Sequence, residues 1–167
     1  MKLGDALVLH YGKALPKEDR SDSGAWGVYG ANGPIAKSNR SLSETPTIIV
    51  GRKGSVGALK VVQEPCWPLD VCYYVGFDQN KYDLNFLYYL LLSLNLESMS
   101  KGVKPGLNRN DVYNLEVSIP ELDQQIQIAK NLNEKFAIMD QLDSEISAIT
   151  SEIDELRKST LHFTIGG

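Results

Sequence analysis

The residues best suited to chemistry lie in a glycine-rich segment, residues 51–57, which reads Gly-Arg-Lys-Gly-Ser-Val-Gly. Glycine lets backbone N–H groups approach a phosphate closely, while the cations Arg52 and Lys53 and the hydroxyl of Ser55 supply charge and a hydrogen bond. The spacing fits neither the P-loop nor the dinucleotide-binding fingerprint. The segment therefore predicts a phosphate contact, and a tight hairpin with solvated charges is the alternative.

A second basic loop, residues 100–110, carries Lys101, Lys104 and Arg109 and contains no acidic residue. Between residues 37 and 60, five basic residues accompany a single acidic residue, Glu44. Clustered cations of this kind are what a nucleic-acid backbone requires. The alternative is that these loops are basic by chance.

The segment 29–34, Tyr-Gly-Ala-Asn-Gly-Pro, combines an aromatic ring with an amide side chain in a predicted turn. Asn pairs bidentately with adenine in the major groove, so Asn32, three residues after Tyr29, is a candidate for reading a base edge. A purely structural turn is the alternative for an Asn-Gly-Pro sequence.

Signals of catalysis are scarce. No Asp or Glu is followed two residues later by Lys, a spacing found in metal-dependent nucleases, and no Asn/Asp/Ser-Pro-Pro-aromatic run of amino-methylating enzymes occurs. His10 and His162 lie in different predicted elements, with no nucleophile constellation around them. Two cysteines, Cys66 and Cys72, support neither a zinc site nor a disulfide framework. We expect a non-catalytic protein.

A long helix is predicted after Pro120, because residues 121–165 contain no Gly or Pro and Glu121 and Asp123 suit the positive end of the helix dipole. Apolar residues along it recur at alternating spacings of three and four, which is a heptad repeat. The predicted seam consists of Leu132, Met139, Leu142, Ile146, Ile149, Ile153 and Leu156. No second long heptad segment exists in the chain, so the seam predicts a helix from another molecule. A helix folded back on its own domain is the alternative.

Residues 1–120 have a different character, with short β-branched and aromatic runs bounded by Gly, Pro, Asn and Ser. These runs predict strands at 26–29, 47–50, 56–62, 71–77 and 115–119, and two helices are predicted at 84–98 and 109–113. The fold class is therefore α+β: a mixed domain at 1–120, a coiled-coil helix at 121–163 and a tail at 164–167.

Charge and hydropathy set further bounds on this chain of 167 residues. Residues 1–120 carry 13 basic and 12 acidic side chains and residues 121–167 carry 4 and 9, so the first domain is not cationic enough to indicate nucleic acid by charge alone. The longest apolar run, residues 84–96, would span about 20 Å as a helix, too little for a bilayer core of roughly 30 Å. No secretion signal is indicated, and a reducing cytoplasm is the expected compartment.

Taken together, these motifs resemble the DNA-specificity subunits of type I restriction-modification systems. The resemblance runs through LGD at 3–5, GKALPK at 12–17, VYGANGP at 28–34, PTIIVGRKGSVG at 46–57, WPLD at 67–70, FLYYL at 86–90, PGLNRND at 105–111 and IPELDQQ at 119–125. It implies a target recognition domain followed by a helix of the kind known in this family as the conserved region. Because family members have two such units in tandem, the chain is expected to be a half-subunit that forms an antiparallel homodimer.

The resemblance also implies a division of labour. The chain would bind double-stranded DNA at a bipartite, interrupted palindromic site and would direct partner methyltransferase subunits and a restriction and translocase subunit to it. No cofactor is expected on this chain; S-adenosylmethionine, ATP and Mg would be held by the partners, and no membrane is involved. The expected DNA-binding residues are Lys13, Lys17, Tyr29, Asn32, Lys37, Arg40, Arg52, Lys53, Ser55, Lys101, Lys104, Asn108 and Arg109.

Two other functions fit the residues less completely. One is a coiled-coil adaptor whose globular head binds protein and not DNA, which predicts that charge reversal of Arg52 and Lys53 leaves DNA retention unchanged. The other is a small enzyme that uses the glycine-rich segment for a nucleotide phosphate, which predicts a thermal shift on addition of nucleotide.

Overall fold

The computed structural model describes residues 1–100 and 105–165, the last five by their backbone alone. It confirms a mixed α+β fold with a long C-terminal helix. The chain divides into two compact units, Met1–Ala129 and Lys130–Gly167. No helix in the described part is both long enough and apolar enough to cross a bilayer.

The first unit is built on two sheets. A four-stranded antiparallel sheet has the order β1-β7-β4-β5, with β1 at Leu7–Tyr11, β4 at Thr47–Gly51, β5 at Leu59–Val62 and β7 at Cys72–Phe77. A three-stranded sheet has the order β3-β2-β6, with β2 at Trp26–Gly30, β3 at Gly33–Ser38 and β6 at Cys66–Pro68. In that second sheet β2 pairs antiparallel with β3 and parallel with β6.

The main core lies on one face of the four-stranded sheet, where alternate strand residues point inward as the pleat requires. Leu9, Ile48, Val50 and Val75 are almost fully buried there and pack with Leu87 of helix α1, Leu84–Ser93. The other face carries a smaller cluster that contains Cys66 and Cys72. Both thiols are free and buried, and burial raises the pKa of Cys66 to about 12 and that of Cys72 to about 11, so neither is a reactive thiolate at neutral pH.

Helix α1 is shorter than the predicted helix at 84–98. Asp83 caps its start, accepting a hydrogen bond from the backbone N–H of Phe86 at 2.8 Å. The helix ends at Ser93, because Asn95 adopts a left-handed conformation with φ of 47° and interrupts the helical path. A separate 3-10 turn follows at Leu96–Met99. Helix α2, Arg109–Tyr113, is confirmed together with its predicted cap, Asn108.

The prediction of a strand at 115–119 is wrong. This segment makes only one isolated bridge, Lys2 with Glu116, flanked by hydrogen bonds from Leu3 N–H to the carbonyl of Leu115 and from Val117 N–H to the carbonyl of Met1. The chain turns into a 3-10 helix at Leu3–Asp5, so the N-terminal segment is too short to extend the pairing into a ladder.

Other strand boundaries also differ from the predicted ones. Strand β5 begins at Leu59 and not at 56, because residues 56–58 form the turn that follows β4, with N–H of Val56 bonded to the carbonyl of Gly54. Strands β1, β3 and β6 were not predicted. Each is short or interrupted by Gly, Pro or polar residues, and each depends on neighbours that are distant in the sequence.

Helix α3, Leu122–Ile165, has 44 residues, about 65 Å at roughly 1.5 Å per residue. Its first turns belong to the first unit and are fixed there by Gln125, whose side chain is 1% exposed. The Gln125 amide accepts from N–H of Asp83 at 3.0 Å and donates to the carbonyls of Lys81 at 3.0 Å and Pro120 at 2.8 Å. The oxygen and both N–H groups of this side chain are therefore hydrogen-bonded.

In the second unit, the seam residues are open. Leu132 is half-buried, and the six that follow it, Met139, Leu142, Ile146, Ile149, Ile153 and Leu156, are between 43% and 67% exposed. An exposed apolar row of this length along one helix is typical of a surface that pairs with another helix.

Candidate nucleic-acid interface

Four segments that are distant in the sequence meet beside the end of the four-stranded sheet: residues 11–13, 52–55, 68–71 and 106–109. Backbone hydrogen bonds tie them together, with Lys13 N–H donating to Pro68, Arg52 and Lys53 N–H both donating to Val71, and Leu107 N–H donating to Arg52. These segments contain four basic residues and one acidic residue, Asp70. We call them the basic edge; it brings the predicted residues Lys13, Arg52, Lys53, Ser55, Asn108 and Arg109 into one place.

The glycine-rich segment has its shape because its backbone packs tightly on itself and on a neighbour. A Cβ at Gly51 would lie 1.9 Å from the carbonyl oxygen of Ser55. At Gly57, whose φ is +78°, a Cβ would lie 2.5 Å from the backbone nitrogen of Glu97. Glycine is required at both positions for steric reasons, independent of any ligand.

The backbone of this segment is largely committed to the protein itself. The N–H groups of residues 51, 52, 53, 56, 57 and 58 all donate to carbonyls within the chain. A phosphate cradle needs several such groups aimed at the ligand. A phosphate at the basic edge would therefore be held by side chains.

Arg52 is more enclosed than the sequence suggested. Its Nη2 donates to the carbonyl of Asp70 at 2.7 Å, and its Nε is buried with no hydrogen-bond partner in the described part of the chain. Its guanidinium carbon lies 5.3 Å from the ring centroid of Tyr11 and 5.8 Å from that of Tyr73. These contacts are cation–π interactions that fix the guanidinium in place.

The two tyrosines form the aromatic centre of the basic edge. Their ring centroids are 5.1 Å apart, and the hydroxyl of the buried Tyr73 donates to the carbonyl of Leu107 at 2.9 Å. Burial, together with the hydrogen bond to Tyr11, raises the pKa of Tyr73 to about 12, so this hydroxyl keeps its proton at neutral pH. Tyr11, by contrast, is 47% exposed.

Two predicted residues at the start of α2 have different roles. The Asn108 side-chain oxygen accepts from N–H of Asn110 at 2.9 Å, so it caps the helix. The guanidinium of Arg109 lies on Tyr11, with its carbon 4.9 Å from the ring centroid. Lys53 and Ser55 are exposed nearby on the glycine-rich segment.

A second group of predicted residues, Lys17, Tyr29, Asn32, Lys37 and Arg40, lies on or beside the three-stranded sheet. Arg40 forms an ion pair with Asp19 at 2.6 Å and lies 5.1 Å above the ring of Trp67. Tyr29 is half-buried in the cluster that contains both cysteines, and burial raises its pKa. Asn32 is exposed in the turn between β2 and β3.

The predicted DNA-binding residues in the described part of the chain therefore fall into two groups, one on the basic edge and one on or beside the three-stranded sheet. The nearest connection runs through Trp67, whose indole N–H donates to the carbonyl of Lys13 at 2.8 Å while its ring lies under Arg40. Lys101 and Lys104 lie outside the described residues. Among the described residues, no group of three or more His, Cys, Asp or Glu side chains could hold a metal ion.

Sequence reasoning missed the residues that organise the basic edge: Tyr11, Trp67, Asp70 and Tyr73. The Tyr-Gly-Lys sequence at 11–13, an aromatic followed by a cation, was the only local signal for Tyr11. Asp70 contributes through its backbone carbonyl, which no sequence pattern reveals.

Replacing Gly51 with Ala tests how strongly the basic edge depends on this packing. Because the added Cβ would collide with a backbone oxygen, the loop must move, and we expect a loss of about 3 kcal/mol in the free energy of unfolding. Gly54→Ala is the matched control: it meets open space and pays only for a φ of +78°, about 1 kcal/mol. Urea unfolding followed by fluorescence of Trp26 and Trp67 measures both, and equal losses would contradict the steric explanation.

A family model and three solved structures that resemble this chain all concern type I restriction-modification systems. A family model described as the type I restriction modification DNA specificity domain matches residues 1–157. No curated protein matches the sequence.

Three solved structures share the fold. An S subunit of a type-I restriction-modification system from M. genitalium gives a TM-score of 0.72 at 21% identity, covering 86% of this chain and 40% of that one. A structure on complex assembly and conformational transition of the type I R-M system gives 0.78 at 16% identity, covering 93% and 42%. An HsdS subunit from Thermoanaerobacter tengcongensis gives 0.62 at 16% identity, covering 80% and 36%. The chain thus spans about two fifths of the length of each.

Proposed function

Because the chain belongs to the family of type I restriction-modification DNA specificity domains, we propose that it directs partner methyltransferase and restriction subunits to a bipartite DNA site. It is a DNA-recognition component and not a catalytic subunit. The observation that carries the proposal is the family match over residues 1–157, which includes the domain and most of helix α3.

The basic edge supports this function by its chemistry. Its cations are attached to different segments but lie together, as a phosphate backbone requires, and Arg109 and Tyr11 add a guanidinium and an aromatic surface next to them. Phosphate contacts supply affinity, while contacts with base edges supply the choice of sequence. Methylation and cleavage take place on the partners, which would hold S-adenosylmethionine, ATP and Mg.

The exposed seam of α3 supports pairing with a second copy of the helix. We propose an antiparallel homodimer, in which the two seams bury each other and the same residues serve on both sides of a twofold axis. Two identical domains would then read two identical half-sites, and the length of the paired helices would fix the gap between them. The target is accordingly an interrupted palindrome.

Mapping methylated adenines tests this proposal directly. In cells that carry the chain and its methyltransferase partner, we expect methylation at one motif made of two inverted half-sites with a fixed gap. Sequencing that detects N6-methyladenine across the genome gives the motif in a single measurement. An asymmetric motif would exclude the homodimer, and a complete absence of motif-specific methylation would exclude the recognition function.

The exposed seam alone would also suit a coiled-coil adaptor that binds protein through its first unit. Reversing the charge of Lys13 and Lys53 distinguishes the two functions, since both side chains are exposed on the basic edge. The recognition function predicts loss of duplex binding in a gel-shift titration of the double variant. The adaptor predicts that DNA retention is the same before and after the change.

A further inference from the structure

The basic edge contains two arginines that contact the same ring but differ in how they are held. Arg52 is held by the protein: Nη2 is bonded to the carbonyl of Asp70, Nε is buried, and the guanidinium lies against both Tyr11 and Tyr73. Of its three side-chain nitrogens, Nε is therefore buried and Nη2 is engaged by a backbone carbonyl. The Nε–Nη2 side of this guanidinium is therefore not available to hold a planar pair of acceptors on an outside ligand.

Among the described residues, stacking on Tyr11 is the contact that holds the Arg109 side chain. Its guanidinium lies 4.9 Å from the Tyr11 centroid, and no acceptor among the described residues is bonded to its nitrogens. Stacking on an aromatic face restricts the guanidinium plane while leaving the N–H groups at its edge available. An arginine whose guanidinium is already restricted by stacking loses less conformational freedom when it binds a planar pair of acceptors than an unrestrained arginine does.

Tyr11 connects the two arginines. It is the last residue of β1 and is 47% exposed, so its position depends on the groups that pack against it and not on burial in the core. Those groups are Tyr73 below it and the guanidinium groups of Arg52 and Arg109.

We propose that Arg52 is a positioning residue, which holds Tyr11 and through that ring Arg109, and that Arg109 binds two adjacent acceptors on DNA with its guanidinium fork. The proposal rests on the DNA-recognition function and adds the residues that perform it. The acceptor pair is either the O6 and N7 atoms of a guanine or two oxygens of a phosphate, since both match the fork.

Duplex titrations with the full chain and its methyltransferase partner test the proposal. One duplex carries the motif identified by mapping methylated adenines, and in the other duplex that motif is scrambled. Each duplex is titrated at several salt concentrations. The variants are Arg109→Lys, Arg52→Lys, both together, Tyr11→Leu and, as a matched exposed cation, Lys53→Ala.

Arg109→Lys is expected to weaken binding by about 10- to 100-fold, because Lys keeps the charge and loses the fork. Arg52→Lys is expected to lower the affinity for DNA by a similar factor, although the charge is retained. The double variant is expected to bind DNA no more weakly than Arg109→Lys alone. Tyr11→Leu, which leaves both arginines in place, is expected to match them. Lys53→Ala should lower the affinity for both duplexes equally.

The two acceptor sources give different patterns. A guanine contact predicts that Arg109→Lys weakens binding to the motif duplex only and relaxes the motif at one position. A phosphate contact predicts that Arg109→Lys weakens binding to both duplexes alike, with a nearly unchanged slope of affinity against salt because Lys retains the charge.

Clear outcomes overturn the proposal. If Arg109→Lys binds DNA as tightly as the wild-type chain, the Arg109 guanidinium does not bind two acceptors on DNA. If Arg52→Lys binds as the wild-type chain does, or if the losses of the two single variants add in the double variant, Arg52 is an independent phosphate contact and not a positioning residue. If Arg52→Lys unfolds, as its melting temperature would show, Tyr11→Leu alone decides, and wild-type binding by Tyr11→Leu would end the proposal. Absence of DNA binding by the wild-type complex would instead refute the recognition function itself.

Discussion

The double variant Ile146→Asp with Ile149→Asp is expected to be monomeric at concentrations where the wild-type chain is dimeric. The two residues are 60% and 56% exposed and lie at neighbouring positions of the seam. In a twofold dimer each change occurs twice, so four buried isoleucines would be replaced by carboxylates. At about 1.5 to 3 kcal/mol for each buried isoleucine, the loss is at least about 6 kcal/mol, which is more than 10⁴-fold in the dissociation constant.

Analytical ultracentrifugation over a range of concentrations measures this change. The control is Ala148→Asp with Ser151→Asp, which adds the same charge at the same spacing of three residues on the opposite face of the helix. That variant is expected to remain dimeric. The seam variant is also expected to abolish motif-specific adenine methylation in cells, because a single reading domain would remain. A wild-type chain that is monomeric at high concentration would defeat the homodimer.

The second large effect is expected at Gln125. Replacing it with Ala leaves three backbone groups without their partners, N–H of Asp83 and the carbonyls of Lys81 and Pro120, in a place where the side chain is almost fully buried. An unsatisfied buried polar group costs about 1 to 3 kcal/mol, and some of the three will recover water. We expect the free energy of unfolding to fall by about 3 to 4 kcal/mol.

Urea unfolding followed by the fluorescence of Trp26 and Trp67 reports this loss, because both tryptophans lie in the first unit. Gln124→Ala removes the same side chain from an exposed neighbouring position and is expected to change stability by less than about 0.5 kcal/mol. Gln125→Met keeps the volume without the hydrogen bonds, so it should resemble Gln125→Ala. Similar unfolding curves for the 124 and 125 variants would mean that the buried hydrogen bonds are not important for stability.

Several elements could be predicted from the sequence because their signals are local. Helix α3 follows from 45 consecutive residues without Gly or Pro, residues 121–165, and α2 follows from the capping residue Asn108. Strands β2, β4 and β7 were found because each is rich in β-branched and aromatic residues. The predicted strand at 115–119 had the same kind of composition, but the segment available to pair with it is only a few residues long.

The candidate site was predictable only as a set of cations. The sequence identified Lys13, Arg52, Lys53 and Arg109 but gave them equal roles. The structure separates them, because Arg52 is bonded to a carbonyl 18 residues away and lies on Tyr11 and Tyr73. It also commits Arg40 to an ion pair with Asp19.

By itself, the sequence determined the α+β class, the long helix with its heptad seam and the resemblance to DNA-specificity subunits, since periodicity, helix-breaking residues and motif order are properties of the chain read in one dimension. Only the tertiary structure decided which cations meet and which remain available. That choice depends on strand order and on hydrogen bonds between segments up to 55 residues apart, such as the one from Lys13 to Pro68, and on which side-chain nitrogens are already used. Such pairings leave no periodic trace in the sequence, because any of several strand orders would bury the same apolar residues.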